Sequence, residues 1–152
     1  MLLLLLNFLK LLIRFQFPTV QEITTKELAN WLSNPAKSQP LVVDARNQAE
    51  YAVSHLKTAV RIEAIAPEFT PLLTVSKDTP IVVYCSVGYR SAKLAQQLDR
   101  EGFECVFNLS GGIFQWANEG RPIFKDEDPT QLVHPYDAIW GKLLKANYHA
   151  QQ

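Results

Sequence analysis

Two cysteines in 152 residues are too few for the disulfide framework of a small secreted domain. They form no CxxC pair and sit in no His/Cys cluster, so no structural zinc or other metal site is expected. Nor is either sign of charge in excess, with 15 Lys+Arg against 15 Asp+Glu. That balance excludes a nucleic-acid binder working through bulk positive charge. The chain has no internal repeat and no low-complexity linker. With 47% apolar and 20% charged residues, it is globular rather than disordered. At 152 residues, one domain with a real core is expected. The cysteine usage suits a reducing compartment, and a cytoplasmic location is expected.

A long apolar span is missing too. Met1 to Phe15 is rich in leucine, but it is interrupted and short of the roughly 20 apolar residues of a spanning helix. It also lacks the basic leading region and small-residue cleavage site of a secretory signal. Asn7, Lys10 and Arg14 fall on one stripe of a helix, which predicts an amphipathic helix over residues 1–18, ended by Pro18. Burying a leucine stabilises by about 1.5–3 kcal/mol, so such a helix must dock. Docking on protein is expected, with the loop from Cys85 to Ser91 left free. A membrane surface, or self-association through residues 2–17, is the alternative partner.

Short apolar runs then alternate with helical segments. Thr24 to Glu27 has capping-box form before a helix through Leu28 and Trp31. Strands are expected at Leu41 to Asp44, Ala59 to Ile62, Ile81 to Tyr84 and Glu104 to Leu109. Helices are expected at Gln48 to Ala52, Ser91 to Arg100, Ile113 to Asn118 and Ile139 to Ala146, with a polar loop at Lys125 to Pro129. Gly102 suits the residue just beyond a helix end. Alternating strands and helices predict a parallel sheet covered on both faces.

Cys85 carries the chemistry. It closes the apolar run Ile81 to Tyr84 and opens Cys85-Ser86-Val87-Gly88-Tyr89-Arg90-Ser91, ahead of a helix. A Gly-containing turn from strand to helix aims backbone N–H groups at whatever occupies the loop. The helix N-terminus and Arg90 add positive charge, which favours a nucleophilic thiolate. Asp44 ends a strand near the ligand crevice of such a sheet and reads with Arg46 as an ion pair supporting the loop. His55 reads as a turn residue, Cys105 as core, and Trp116 as core or as a pocket wall.

These pieces resemble the rhodanese family of sulfurtransferases. The resemblance rests on Leu41-Val42-Val43-Asp44-Ala45-Arg46 with Glu50-Tyr51, on Ser54-His55-Leu56 to Ala59, on the loop from Cys85 to Ser91, and on Asn108 to Ile113 with Trp116. It spans about residues 20–124, leaving a helix at 1–18 and a C-terminal extension at 125–152. The flanks are similar to those of small cyanobacterial rhodanese-like proteins. The fold so implied is a parallel five-stranded sheet with helices on both faces. The implied activity is sulfurtransfer without a cofactor, from thiosulfate or a persulfide through a Cys85 persulfide to a thiol or cyanide. Cys85 would be catalytic, and Ser86, Val87, Gly88, Tyr89 and Arg90 would bind the substrate. The partners would be a small sulfur donor or a persulfidated protein, not nucleic acid. Ser54 and Thr58 stand where the family usually has glycine, and Ser86 and Val87 where thiosulfate-favouring members place Arg or Lys. Two alternatives stay open. One is a non-catalytic binding module. The other is a cysteine phosphatase or arsenate reductase, whose loop has five residues between Cys and Arg, against four here.

Overall fold

Short valine- and isoleucine-rich runs with no polar alternation are stable only when both faces are covered. Leu41–Asp44 (β2) and Ile81–Tyr84 (β4) are two such runs, and they pair in parallel at the centre of the sheet. The computed structural model describes residues 1–151. Outside the central pair lie Gln21–Ile23 (β1), Val60–Arg61 (β3) and Val106–Leu109 (β5). The five strands run in the order β1-β5-β4-β2-β3, all parallel.

Alternate residues of the central strands point to opposite faces. Val42, Val82 and Tyr84 enter one core cluster with Leu28, Ile113, Phe114 and Trp116. Val43, Ile81, Val83 and Cys85 enter the other, with Ala92, Leu94, Ala95 and Leu98. Helices Thr25–Leu32 (α2) and Gly112–Asn118 (α5) thus cover one face, and Tyr89–Arg100 (α4) covers the other. The expected five-stranded parallel sheet with helices on both faces is present. α4 starts at Tyr89 and ends in a left-handed Gly102, whose neighbour Phe103 donates back to the Leu98 carbonyl.

The N-terminal helix Leu2–Gln16 (α1) bridges both clusters, with Leu6 buried in one and Ile13 in the other. Lys10 turns toward the domain rather than away from it, donating to Gln115 at 3.0 Å. The outward face is left apolar, and Leu4, Phe8, Leu11 and Phe15 are each more than half exposed. No helix of the described residues is long and apolar enough to cross a membrane.

Two local expectations need correction, and one strand was not expected. Lys125 to Pro129 is not a loop: Ile123–Lys125 (β6) and Asp128–Thr130 (β7) form an antiparallel hairpin turning at Asp126. The final helix is instead two 3₁₀ turns, Trp140–Leu143 and Ala146–Tyr148. Asp137 caps the first by accepting from the N–H groups of Ile139 and Trp140, and the stretch is too short to propagate an α-helix. β1 has no sequence signal of its own, because Gln21 and Glu22 are polar. Its pairing with Phe107 to Leu109 makes it a strand.

Candidate active site

Gly112 decides where the cysteine loop sits. It has φ +59°, and a Cβ there would strike the carbonyl oxygens of Ser86 and Cys85. With that space open, the N–H groups of Ile113 and Phe114 reach those carbonyls at 2.9 and 3.0 Å. The first turn of α5 therefore holds the loop from below. Gly88, at φ +116°, turns the chain into α4. Its N–H points back at the Cys85 Sγ, 3.1 Å away. Of the loop N–H groups from Ser86 to Arg90, this is the one within bonding distance of the sulfur. The sulfur also lies at the N-terminus of the twelve-residue α4, where the helix dipole favours negative charge.

A second support comes from Ser91 at the end of the loop and from Asn108 on β5. The Ser91 hydroxyl lies 3.4 Å from Sγ and 2.6 Å from Asn108 Oδ1. Asn108 Nδ2 donates to the Gly88 carbonyl at 3.0 Å, which fixes the amide orientation. Ser91 has one proton and two acceptors, so it can turn from the Asn108 oxygen to a thiolate. Asn108 opens a stretch that carried the family resemblance, but its bond to Ser91 joins positions 17 residues apart.

Arg90 does not stand free beside the cysteine. Its guanidinium grips the Glu50 carboxylate at 2.9 Å through both Nη atoms, and Nη2 also donates to the Ser86 hydroxyl. Ser86 in turn donates to Glu50 at 3.2 Å. Burial alone would raise the Glu50 carboxyl, but Arg90 and then Arg46 outweigh it and hold it below its ordinary value. Burial opposes the Arg90 charge as well. The Glu50 bond and the charge of Cys85 prevail and keep that charge in place. Glu50 is set by a reciprocal capping box with Asn47 at the start of helix Gln48–Val53 (α3). The Asn47-to-Glu50 spacing was the available signal for this residue.

Asp44 and Arg46 lie one layer deeper. Both are fully buried and paired at 2.7 Å, and Tyr84 donates to Asp44 at 2.6 Å. Arg46 also donates to the Ser54 carbonyl at 2.6 Å. The pair therefore braces β2, β4 and the turn after α3, and reaches the loop through the field of Arg46 on Glu50. His55 accepts no role at the sulfur. Its ring stacks on Tyr51 at 4.3 Å and its Nδ1 bonds the Leu56 carbonyl. Thr58 takes the left-handed conformation at φ 60°, where glycine would be unstrained, so the turn forms here despite a β-branched side chain.

Cys85 is 1% exposed and forms the floor of a cavity of ≈ 280 Å³. Val87, Tyr89 and Arg90 line it from the loop, while Leu9 of α1 and Tyr136 and Trp140 of the C-terminal extension line it from outside. The expectation that α1 leaves the catalytic loop free is thus corrected. The reason is packing: Leu9 and Ile13 share one face of α1, and that face meets Val87 and Gly88. Trp116 is core, donating to the Pro122 carbonyl at 2.8 Å, and borders a separate groove of ≈ 960 Å³. Cys105 is half-buried just before β5. Among the described residues, no group of His, Cys, Asp or Glu is arranged to hold a metal.

A loop that cups a cysteine sulfur at the carboxyl edge of a parallel α/β sheet, against a helix N-terminus, defines a class of cysteine-loop domain. Residues 24–119 match the model of the rhodanese-like domain, and the chain belongs to that family. Over 108 residues it is 31% identical to the tRNA uridine(34) hydroxylase of Photorhabdus laumondii, a match over 68% of this chain and 30% of that protein. In the corresponding protein of Escherichia fergusonii, the matched part is 25% of the length, so the chain spans well under half of these curated relatives. Among solved structures, a rhodanese-like domain protein from Staphylococcus aureus is 29% identical, with a TM-score of 0.55 over 64% of this chain and 91% of that one. A rhodanese-like domain from Anabaena sp., 21% identical, shares the fold with a TM-score of 0.62 over 68% of this chain and 77% of that one.

Proposed function

We propose that the protein is a sulfurtransferase working through a Cys85 persulfide. The observation that carries this reading is the Gly88 N–H aimed at Sγ from 3.1 Å, at the start of α4 and beneath a cavity open to a small donor. The Cys85 thiolate attacks the sulfane sulfur of the donor, and the bond between that sulfur and the rest of the donor breaks. The electron pair leaves with the donor remnant. The persulfide anion then carries its charge one atom beyond Sγ, toward the N-terminus of α4, where dipoles already oriented stabilise it. A thiol or cyanide attacks the outer sulfur and restores the thiolate. Two half-reactions on one cysteine require ping-pong kinetics.

Arg90 serves this scheme as a clamp. It ties the loop to α3 through Glu50. Four residues between Cys85 and Arg90 leave room for a single sulfur atom rather than a tetrahedral oxyanion, which disfavours phosphatase chemistry. Hydroxylation of tRNA is not carried over, because the stretch shared with those hydroxylases is under a third of their length. Mass spectrometry of the full chain after incubation with a sulfane donor is the test. One added sulfur on Cys85, removed by cyanide and absent in Cys85→Ser, is the expected result. Undiminished sulfurtransfer by Cys85→Ser would overturn the reading. A protein that never gains the sulfur would be a binding module instead.

A further inference from the structure

The cavity over Cys85 is built for an apolar group. Leu9, Val87, Tyr89, Tyr136 and Trp140 line it beside Cys85, Ser86 and Arg90. Three of those five are aromatic, and three come from outside the matched family region at 24–119. Arg90 is the one cation on the wall, and it is already engaged. Glu50 balances its charge at 2.9 Å, and the Tyr136 ring covers its face, 4.6 Å from the guanidinium carbon. A small, doubly charged inorganic donor entering this space would lose its hydration and find no free counter-charge. An organic donor with one charge at the reacting sulfur and an apolar substituent behind it would lose less and bury more.

Resting on the sulfurtransfer reading above, we propose that the donor is an organic sulfane compound bearing an apolar or aromatic substituent, and that Leu9, Tyr136 and Trp140 set this preference. The reacting sulfur sits over Sγ, beside the Gly88 N–H, and the substituent lies against the Trp140 and Leu9 walls. For a thiosulfonate R–SO2–S⁻ the step balances without an added oxidant. The Cys85 thiolate bonds the outer sulfur, the S–S bond of the donor breaks, and the electron pair departs on the sulfinate R–SO2⁻. Cyanide then takes the outer sulfur as thiocyanate. At ≈ 280 Å³ the cavity falls just below the usual range of about 300–1,000 Å³ for ligand pockets, enough for one small ring and not for a peptide.

The test compares benzenethiosulfonate with methanethiosulfonate, which share the reacting group and differ in the substituent. Cyanide is the acceptor, the full-length protein is used, and kcat/KM is read for each donor. The wild type is expected to favour the aryl donor by more than about tenfold, the scale of discrimination a hydrophobic pocket supplies. Trp140→Ala and Leu9→Ala, on different walls, should each lower that ratio several-fold. Comparing the ratio between variants cancels the intrinsic reactivity of the two donors. If Trp140→Ala does not fold by circular dichroism, Leu9→Ala carries the test. A wild-type ratio near one, or a ratio that no folded variant changes, overturns the proposal. Persulfide on Cys85 with both donors but no preference would refute the donor class alone. No persulfide with either donor would refute the sulfurtransfer reading itself.

Discussion

Glu50→Gln tests the clamp most directly. The Glu50 side chain is 0% exposed and that of Arg90 17%, so the two form a nearly dry, two-point pair. Removing one partner of a buried pair costs about 3–5 kcal/mol, because the other charge is left uncompensated. Two features reduce that figure here. Glutamine keeps one acceptor oxygen, and water can still reach part of Arg90. The expected loss is about 2–3 kcal/mol, a fall in Tm of about 4–12 °C for a chain of this size. Arg90→Gln and the double variant complete a cycle, in which a coupling of at least about 1.5 kcal/mol is expected. The pH dependence has a defined sign. Glu50 is held below its ordinary 4.5, so its contribution is present above that pH and is lost as the pH falls through the lowered value. The gap between wild type and Glu50→Gln should therefore close in acid. Thermal melts followed by circular dichroism at neutral and acid pH measure all of this. A coupling below about 0.5 kcal/mol, or a gap that widens in acid, would refute the clamp.

Other expectations follow from single positions. Gly112→Ala puts a methyl against the Cys85 and Ser86 carbonyls, so persulfide formation should fall at least about tenfold and the melt should shift down; unchanged labelling of Cys85 would count against the role of α5. Glu22 is pushed up to about 7 by burial, against the pull of Asn108, Arg14 and Lys10. Its folded value lies above the unfolded 4.5, so its ionisation destabilises the protein increasingly as the pH rises from 4.5 through 7. Glu22→Gln should hence stabilise at pH 8 and make little difference at pH 5, as read by urea unfolding; the reverse order would refute it. Thr58→Gly relieves a β-branched residue at φ 60° and should raise stability by about 1 kcal/mol, which a lowered melting point would contradict.

The order of strands and helices was legible because both central strands are unbroken apolar runs and the main helices carry their own start and stop residues. Cys85, Gly88 and Arg90 were legible for a similar reason, since thiol, turn and cation lie within six consecutive residues. β1 and the β6–β7 hairpin were not, because strands of three residues exist only through their partners. The distant halves of the site were equally hidden. Glu50 lies 40 residues from Arg90 in sequence, and Asn108 lies 17 from Ser91.

The sequence by itself determined the place of the cysteine loop, its length and the class of sheet, all of which depend on local spacing and periodicity. Tertiary structure alone decided what surrounds the sulfur. It paired Arg90 with Glu50, placed Ser91 and Asn108 behind Sγ, and turned Lys10 of α1 inward while leaving its outer leucines bare. It also brought Leu9 and Trp140, from opposite ends of the chain, to one cavity. Burial and contact between distant residues are set by packing, and packing leaves no periodic trace in a single chain.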